Sequence, residues 1–367
     1  MIRRDILRHF DFWLFGTVIV LSIFGIAMIR SAIAGNLALE GHVNRQIIYF
    51  ILGVTVMIVV SIIDYHFWAS FSRLMYIFIF LFLVVIFIAG QAAFGAARWL
   101  SIADLFFIQP SELAKIIIIL VLADYFSRHQ NDERNLIWIG KSALLTFGLV
   151  VWILLQPNLS TSIVILVIWG SMLFISGLPI KYMIIFGVFG VVLAFAAFPF
   201  LEEYQQQRIL TFLFPDPNAR YGNSYNVEQA LITIGSGGLF GQGYGQGSQV
   251  QLRFLKVRHT DFIFSALAEE FGFVGAVLVM ILILFVIYRC LKTAREAPDT
   301  YGALIAYGFG TLIFFQMAVN IGVNLNILPV TGLTLPFVSY GGSSLLSLTL
   351  GIGFVESVAI RKRISEG

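Results

Sequence analysis

Ten apolar segments, separated by mostly short polar connections, constrain this chain more than any other feature of its sequence. A helix that crosses a membrane needs about 20 predominantly apolar residues, so we expect the shorter segments to extend into their polar flanks. The segments cover residues 12–33, 46–63, 74–89, 112–126, 143–156, 159–176, 181–200, 262–288, 302–320 and 339–360. The sequence therefore predicts an all-α polytopic membrane protein with about ten transmembrane helices.

Composition supports this fold class and narrows the possible partners. The 367-residue chain is 59% hydrophobic and 12% charged, whereas soluble domains contain about 25% charged residues. A net charge of +3 is too small to indicate a nucleic acid partner. The single cysteine, Cys290, excludes an intrachain disulfide. We expect one membrane domain over 1–367, with no soluble domain attached.

The distribution of lysine and arginine predicts the orientation, because cytoplasmic connections are enriched in these residues. With a cytoplasmic N-terminus, the short outside connections hold only Arg30, Arg45 and Arg98. The first apolar run, 12–29, is longer than that of a signal peptide, which spans about 7–15 residues, so we expect it to be retained. Both termini are therefore predicted in the cytoplasm, and 201–261 forms one long extracytoplasmic loop between the seventh and eighth helices.

The long loop contains a glycine-rich tract, GSGGLFGQGYGQG, at 235–247. A dinucleotide-binding G-x-G-x-x-G motif would need glycine where this chain has Gln246, and no strand–helix unit is expected around the tract. We therefore interpret the tract as a turn-rich loop in which glycines allow two backbone segments to approach closely.

Two pairs of residues on the predicted outer side are candidates for substrate binding. Glu112 and Lys115, in QPSELAK at 109–115, share one helix face. Ionisable residues within a span usually face the bundle interior or a watery cavity and are functional; the alternative is an ion pair that fixes helix packing. Arg98 and Trp99 offer a cation and an amphipathic ring, or else an anchor in the interfacial aromatic belt.

The stretch KVRHTDFIFSALAEEFG, which begins at Lys256, places charge at the start of the eighth span. Asp261 is the strongest candidate for a catalytic carboxylate, and the alternative is that it caps the helix. Capping does not explain the neighbouring cations Lys256 and Arg258, which we expect to contact phosphate. Glu269 and Glu270 lie further along the span, and their role stays open between structural support and function.

The segment LPVTGLTLPFVSYGGSS at 328–344 is rich in proline and glycine for a position beside a membrane span. Irregular backbone at membrane depth is tolerated only where it is buried in protein or lines a water-filled cavity. A broken, re-entrant segment would offer free amide N–H groups to an anion such as a diphosphate. The alternative is a plain loop before the tenth helix.

Six motifs, taken in order, resemble the SEDS family of bacterial wall synthesis. They are GAARWL (95–100), QPSELAK (109–115), QRILTFLFPDP (207–217), SYNVEQALITIGSGGLFGQG (224–243), HTDFIFSALAEEFG (259–272) and LPVTGLTLPFVSYGGSS (328–344). The resemblance covers nearly the whole chain. The PVTG motif and the short N-terminus are more similar to those of the elongation branch of the family than to those of the division branch.

This resemblance implies a peptidoglycan glycosyltransferase that polymerises lipid II, a disaccharide-pentapeptide on undecaprenyl diphosphate, at the outer face of the cytoplasmic membrane. It implies that Asp261 is the catalytic residue of an inverting mechanism. Together with the reading of the residues themselves, it gives the expected substrate-binding residues Arg45, Arg98, Trp99, Glu112, Lys115, Arg208, Lys256 and Arg258. One departure is Asn158, which stands where the family often has an aspartate.

The implied chemistry needs a base for the acceptor hydroxyl and positive charge for the departing diphosphate. Arginine and lysine, or a divalent cation such as Mg²⁺ or Mn²⁺, would supply that charge, and no other cofactor is expected. The implied partners are a class B penicillin-binding protein, which crosslinks the new strand, and the elongation machinery. Two alternatives stay open: a lipid II flippase or transporter, and a non-catalytic scaffold for the penicillin-binding protein.

Overall fold

A computed structural model of the protein describes residues 9–36, 39–93, 100–102, 106–215 and 222–365. The helices, in chain order, are α1 Phe12–Ile33, α2 Gly41–Ile62, α3 Tyr65–Ser70, α4 Ser72–Ala93, α5 Pro110–Arg128, α6 Leu136–Leu155, α7 Leu159–Ile175, α8 Ile180–Ala197, α9 Glu203–Leu213, α10 Asn223–Ser236, α11 Ser248–Gln251, α12 Ile263–Glu296, α13 Thr300–Asn324 and α14 Gly342–Ser365. An antiparallel hairpin of strands β1 Leu100–Ile102 and β2 Phe106–Ile108 precedes α5.

Ten of these helices correspond, in order, to the ten predicted segments. In the described part of the chain, α1, α2, α6, α8, α12, α13 and α14 are long and apolar enough to cross a membrane. Helices α4 and α7 have shorter apolar stretches, and α5 carries acidic and basic side chains along its length. The predicted all-α polytopic membrane fold is confirmed, with a short hairpin added.

Several helices extend beyond the predicted apolar segments. Helix α2 begins at Gly41 rather than at residue 46, α6 begins at Leu136 rather than at 143, and α12 ends at Glu296 rather than at 288. The apolar pattern predicts only the part of a helix that is hidden from water, whereas the helix continues until a capping residue ends it. Asn135 is such a residue, because its side chain accepts a hydrogen bond from the Trp138 amide (2.9 Å).

Helices α13 and α14 form the centre of the bundle, and α8 lies at its edge. In their apolar stretches, 67% of the residues of α13 and 83% of those of α14 are buried, against none in α8. Helix α14 packs closely along α2 through small residues. A methyl group on Gly53 would lie 2.6 Å from the Thr349 hydroxyl oxygen, and one on Gly353 would lie 2.9 Å from the Met57 carbonyl oxygen.

Both ends of the described chain lie at the same end of the bundle. Asp11, just before α1, accepts a hydrogen bond from Arg289 in α12 (2.8 Å), and its amide donates to Glu356 in α14 (3.1 Å). Arg361, near the end of α14, forms an ion pair with Asp64, which follows α2 (3.1 Å). We call this end, defined by these five residues, the terminal face.

The segment 201–261 is folded onto the bundle, and its glycine-rich tract packs into a break in α12. The break lies at Gly272, whose φ of 67° and ψ of −169° interrupt the helix. Four backbone hydrogen bonds of 2.9 to 3.1 Å join the tract to the break: from Gln242 to Glu269, from Gly243 to Glu270, from Phe273 to Gly238 and from Val274 to Leu239. A methyl group on Gly237 would overlap the Ala268 carbonyl oxygen. The predicted close approach of two backbone segments is therefore confirmed.

Candidate active site

A cavity of about 580 Å³ opens at the end of the bundle opposite the terminal face, where α14 begins. Most of its lining side chains are uncharged groups that can form hydrogen bonds. The lining residues are His42, Arg45, Tyr49, Gln109, Glu112, Asn158, Ser160, Thr161, Arg208, Thr260, Gln316, Thr331, Gly332, Leu333, Thr334, Tyr340, Gly341, Gly342 and Ser344. Hydroxyl and amide groups in this number suit a carbohydrate better than an apolar ligand.

Asp261 lies in the turn before α12, beside the cavity. Its carbonyl oxygen accepts hydrogen bonds from the side-chain amides of Asn320 (3.0 Å) and Asn324 (2.9 Å) in α13. Asn324 also accepts hydrogen bonds from the amide and hydroxyl of Ser265, at 3.0 and 2.7 Å. Helix α13 therefore holds Asp261 and the first turn of α12 together. Phe262 occupies the cap position and makes no side-chain capping bond, so the alternative that Asp261 caps α12 is wrong.

The Asp261 carboxylate and the Arg208 guanidinium face the same point at the cavity wall. A methyl group on Gly332 would lie 3.9 Å from both Asp261 Oδ2 and Arg208 Nη1. Burial raises the pKa of Asp261, while the charge of Arg208 and a hydrogen bond from Thr260 oppose this rise. Thr260 and Gly332 line the cavity and Asp261 does not, so the partly buried carboxylate adjoins the wall behind these two neighbours.

The chain between α13 and α14 is irregular and forms one side of the cavity. It contains no helix or strand over 325–341, and it is joined to the residues before Asp261. The Ser339 hydroxyl donates to the Thr260 carbonyl oxygen (2.8 Å), and the Tyr340 amide donates to the His259 carbonyl oxygen (2.9 Å). The prediction of irregular backbone here is confirmed, and the segment helps to position the residues that flank Asp261.

Several amides of this irregular segment already bond within the protein. The Leu335 amide donates to the Ser339 hydroxyl (2.8 Å), and the Val338 amide donates to the Leu335 carbonyl oxygen (3.2 Å). The Gly341 amide donates to the Gln46 side-chain oxygen (3.3 Å). An amide bonded in this way is not available to a ligand. At these three positions, the expectation of free amides for an anion is wrong.

Two arginines supply the positive charge of the cavity wall. Arg208, in α9, lines the cavity and donates from Nη1 to the Thr331 carbonyl oxygen (3.3 Å). Arg45, in α2, lines the cavity together with His42 and Tyr340. The two residues come from distant parts of the chain, and both were predicted to lie at the cavity. Their guanidinium groups are suited to phosphate oxygens.

The basic residues next to Asp261 do not add to this charge. Arg258 is buried, and its guanidinium donates to the carbonyl oxygen of Ala32 near the end of α1. Burial, with His42 and Arg258 nearby, lowers the pKa of His259 to about 4, so this ring is neutral at pH 7. In the described part of the chain, neither Lys256 nor Arg258 lines the cavity. Instead of the expected phosphate contact, Arg258 satisfies a helix C-terminus.

Glu112 and Lys115 form an ion pair at the inner end of the cavity. Lys115 Nζ lies 2.7 Å from the Glu112 carboxylate, and the Ser347 hydroxyl in α14 donates to the same carboxylate (3.0 Å). Glu112 lines the cavity, whereas Lys115 is fully buried. The pair therefore links α5 to α14, as the packing interpretation predicted, and it also presents one carboxylate to the cavity.

Asn158 lies on the cavity wall at the start of α7. Its side-chain oxygen accepts a hydrogen bond from the Thr161 amide (3.3 Å) and caps the helix. Its side-chain amide donates to the Ser111 hydroxyl (3.2 Å). An ionised aspartate could only accept hydrogen bonds, so asparagine adds a donor here and leaves the wall less acidic.

Arg98 and Trp99 were also predicted to bind substrate. Both lie outside the residues that the structure describes, so their role stays a prediction. Their described neighbours are the strands β1 and β2, which lead directly into α5.

The two glutamates within α12 bind the loop segment and α1 rather than the cavity. Glu269 accepts four hydrogen bonds of 2.8 to 3.3 Å: from the hydroxyls of Ser236 and Ser248 and from the amides of Gln249 and Val250. Glu270 accepts a hydrogen bond from the Ser31 hydroxyl in α1. Neither glutamate lines the cavity, which assigns Glu269 a structural role.

Sequence reasoning missed the two asparagines that hold Asp261. Asn320 and Asn324 are four residues apart in α13 and share a face. Asparagines within a membrane span commonly form hydrogen bonds between helices, so their spacing was a usable signal. The described residues contain no group of three or more His, Cys, Asp or Glu side chains that could hold a metal ion.

Comparison with known proteins identifies the family. The sequence profile of the family described as "cell cycle protein", which groups FtsW, RodA and SpoVE, matches residues 11–364. The peptidoglycan glycosyltransferase MrdB of Escherichia coli K12 is 36% identical over 361 residues, or 97% of this chain and 95% of that protein. The probable peptidoglycan glycosyltransferase FtsW of Hydrogenovibrio crunogenus is 35% identical over 364 residues, or 96% and 92% of the two chains.

Two solved structures share the fold. One, described as the structural coordination of polymerization and crosslinking by a peptidoglycan synthase complex, has a TM-score of 0.80 at 29% identity and covers 96% of this chain and 98% of that one. The crystal structure of RodA from Thermus thermophilus has a TM-score of 0.71 at 30% identity and covers 95% and 96% of the two chains. The profile, the relatives and the shared fold together establish that this chain is a RodA-like member of the SEDS family.

Proposed function

We propose that this protein is an inverting peptidoglycan glycosyltransferase that polymerises lipid II during cell elongation and rod-shape maintenance. One observation carries the proposal: a partly buried carboxylate, Asp261, and two arginines, Arg45 and Arg208, come together at a cavity lined by neutral hydrogen-bonding groups. Those neutral groups suit a sugar, and the arginines suit its diphosphate. The names of the relatives support the same activity.

In the proposed reaction, the acceptor hydroxyl oxygen bonds to the anomeric carbon of the donor sugar while the bond from that carbon to the diphosphate oxygen breaks. The hydroxyl proton passes to the Asp261 carboxylate. The diphosphate leaves with the bonding electron pair, and Arg45 and Arg208 stabilise its charge. Because burial raises the pKa of Asp261, the carboxylate is a stronger base than a solvated aspartate.

We assign the terminal face to the cytoplasm. Arg289, Arg361 and the other basic residues near the ends of α12 and α14 support this orientation, because cytoplasmic segments are enriched in lysine and arginine. Both termini would then be cytoplasmic, and the cavity would open at the outer face of the inner membrane. The lipid-linked sugar would meet Asp261 there.

The proposed partner is a class B penicillin-binding protein of the elongation machinery. A solved structure with the same fold is described as a peptidoglycan synthase complex that coordinates polymerization and crosslinking. Helix α12 exposes an apolar face that includes Phe273, Leu278 and Ile281. A transmembrane helix of the partner would suit such a face, because packing between membrane helices needs no polar contact.

A divalent cation, Mg²⁺ or Mn²⁺, would enter this site with the substrate. Such an ion is commonly bound by one or two carboxylates together with substrate phosphates rather than by an all-protein cage. Asp261 is the carboxylate that would serve, since Lys115 already pairs with Glu112. One of its oxygens would bind the ion, and the other would accept the proton. The rate of polymerisation in EDTA, and after each ion is restored, tests this part of the proposal.

Polymerisation of purified lipid II tests the proposed activity. We expect the protein, with its penicillin-binding partner, to make glycan strands, and we expect Asp261→Ala and Asp261→Asn to make almost none. Glycan made by both variants at the parent rate would exclude Asp261 as the base. If the parent makes no glycan but moves labelled lipid II between leaflets, the flippase alternative holds. If it does neither yet raises the crosslinking rate of its partner, the scaffold alternative holds.

A further inference from the structure

Gln316 is a buried glutamine of α13 whose side chain lines the cavity. The residue is 1% exposed, and its side-chain oxygen has no hydrogen-bond partner within the described chain. A buried amide without a partner is destabilising, because it loses its bonds to water and gains none in return. Among the buried side chains in this condition, Gln316 is the one that lines this cavity.

The other buried glutamines of the described chain show how unusual this is. Each has a protein partner: Gln46 bonds to Ser339 and Gly341, Gln156 donates to the Leu83 carbonyl oxygen, and Gln205 donates to the Pro157 carbonyl oxygen. Those three glutamines therefore stabilise the fold. Gln316 makes no such bond within the described chain and lines the cavity, so a ligand bound there would supply the partner that its side-chain oxygen lacks.

The position of Gln316 sets the depth at which a ligand would meet it. Asn320, which holds the Asp261 carbonyl oxygen, lies one helical turn away on the same face of α13. Gln316 therefore lies about 6 Å further than Asn320 from the C-terminal end of α13, and so deeper in the bundle. Glu112, which pairs with Lys115, is the charged side chain at the inner end of the cavity.

We infer that Gln316 recognises the sugar of the substrate by hydrogen bonding to a neutral group that both donates and accepts, a hydroxyl or an acetamido group. A primary amide offers a donor and an acceptor together, and so it matches such a group. The diphosphate has only acceptors, and it would stay with Arg45 and Arg208. The inference rests on the proposed function and deepens it, since it assigns a residue that determines specificity for the sugar.

The test compares two lipids that differ only in the sugar and its peptide: lipid II and undecaprenyl diphosphate. We expect Gln316→Leu to weaken the binding of lipid II about tenfold, the effect of losing one or two hydrogen bonds. Binding of undecaprenyl diphosphate should be unchanged. The thermal midpoint of the free protein should be equal or higher, because leucine removes an amide that has no protein partner.

Gln156→Leu is the matched control, because Gln156 is buried, bonds to the Leu83 carbonyl oxygen and does not line the cavity. This variant should have a lower thermal midpoint and bind both lipids as the parent does. The inference is wrong if Gln316→Leu binds lipid II as tightly as the parent, if it loses both lipids equally, or if its midpoint falls as in the control.

The two proposals can fail separately. If the parent polymerises lipid II and Gln316→Leu has none of the expected effects, the sugar contact is wrong and the proposed function stands. If the parent binds lipid II no more tightly than undecaprenyl diphosphate and makes no glycan, the proposed function fails, and the inference fails with it.

To identify the sugar group, the loss caused by Gln316→Leu is measured again with lipid II that lacks one acetamido group. A loss that disappears assigns the contact to that group. A loss that persists, also with lipid II that lacks its peptide, assigns it to a hydroxyl or to the remaining acetamido group, and a loss that needs the peptide contradicts the sugar contact.

Discussion

Asp261 and Glu269 are two carboxylates about two helical turns apart. At Glu269 the protein binds the side chain, whereas at Asp261 it binds the backbone. Glu269 is fully buried, and its oxygens accept four hydrogen bonds from the loop that contains the glycine-rich tract. In Asp261 the backbone carbonyl oxygen is the atom that α13 holds, through Asn320 and Asn324. Its carboxylate adjoins the cavity wall and faces Arg208.

The difference shows that the donors around a carboxylate decide its role, whatever its place in a charged motif. The four hydrogen bonds to Glu269 occupy its acceptor positions and hold its side chain in place. At Asp261 the backbone is fixed while the side chain faces one cation across the cavity wall. A carboxylate of this second kind can take a proton from a substrate hydroxyl within its reach.

The largest expected effect is on the rate of polymerisation in Asp261→Asn. Replacing the base should lower kcat by a factor of about 10² to 10⁴, while the thermal midpoint stays near that of the parent. The midpoint should hold because the asparagines of α13 bind the backbone of this residue and not its side chain. The measurements are lipid II polymerisation and a thermal unfolding curve. A parent-like rate would contradict the contrast between the two carboxylates.

Glu269→Gln should have the opposite signature. The amide presents N–H groups to donors that need an acceptor, and it leaves at least one buried donor unsatisfied, at a cost of about 1–3 kcal/mol. We expect a lower thermal midpoint, with the protein that stays folded retaining its polymerisation rate. Loss of activity at a parent-like midpoint would assign Glu269 a direct role in the reaction.

Gly237→Ala tests the packing of the glycine-rich tract against α12, and Gly235→Ala is its matched control. A methyl group on Gly237 would overlap the Ala268 carbonyl oxygen, whereas one on Gly235 would meet no atom within 4 Å. Overpacking of this kind costs about 1–3 kcal/mol, so the thermal midpoint of Gly237→Ala should fall. The midpoint of Gly235→Ala should be equal or higher, because alanine favours the helix. Equal midpoints for the two variants would contradict the close backbone pairing.

The smallest expected effect is a shift in the pH dependence of kcat in Arg208→Gln. The charge of Arg208 lowers the pKa of Asp261, against the larger effect of burial. Without that charge the pKa rises further, and the carboxylate binds a proton at a higher pH. Because the reaction needs the deprotonated base, the acidic limb of the profile should move to higher pH. A limb that stays in place, or moves to lower pH, would mean that another group titrates there.

The sequence alone predicted features that depend on local chemistry. The ten helices that match the predicted segments follow from runs of apolar residues, because the hydrophobic length of a helix is a property of one segment. The pairing of Glu112 with Lys115 follows from their spacing on one helix. The irregular backbone before α14 follows from its prolines and glycines. Asp261 was a candidate because it lies in a charged motif at the start of a span, and the family resemblance implied its catalytic role.

The tertiary structure alone decided which atoms fill the contacts between segments far apart in the sequence. Arg258, two positions from Lys256 and three from Asp261, bonds to the end of α1 instead of facing the cavity. No local pattern could distinguish Glu269 from Asp261, because the donors that bind Glu269 belong to the preceding loop. Gln316 became a candidate for ligand binding only from the structure, which shows that its side-chain oxygen is buried at the cavity without a protein partner. Hydrogen-bond satisfaction is a property of the packed chain, so it becomes visible only once the segments are in place.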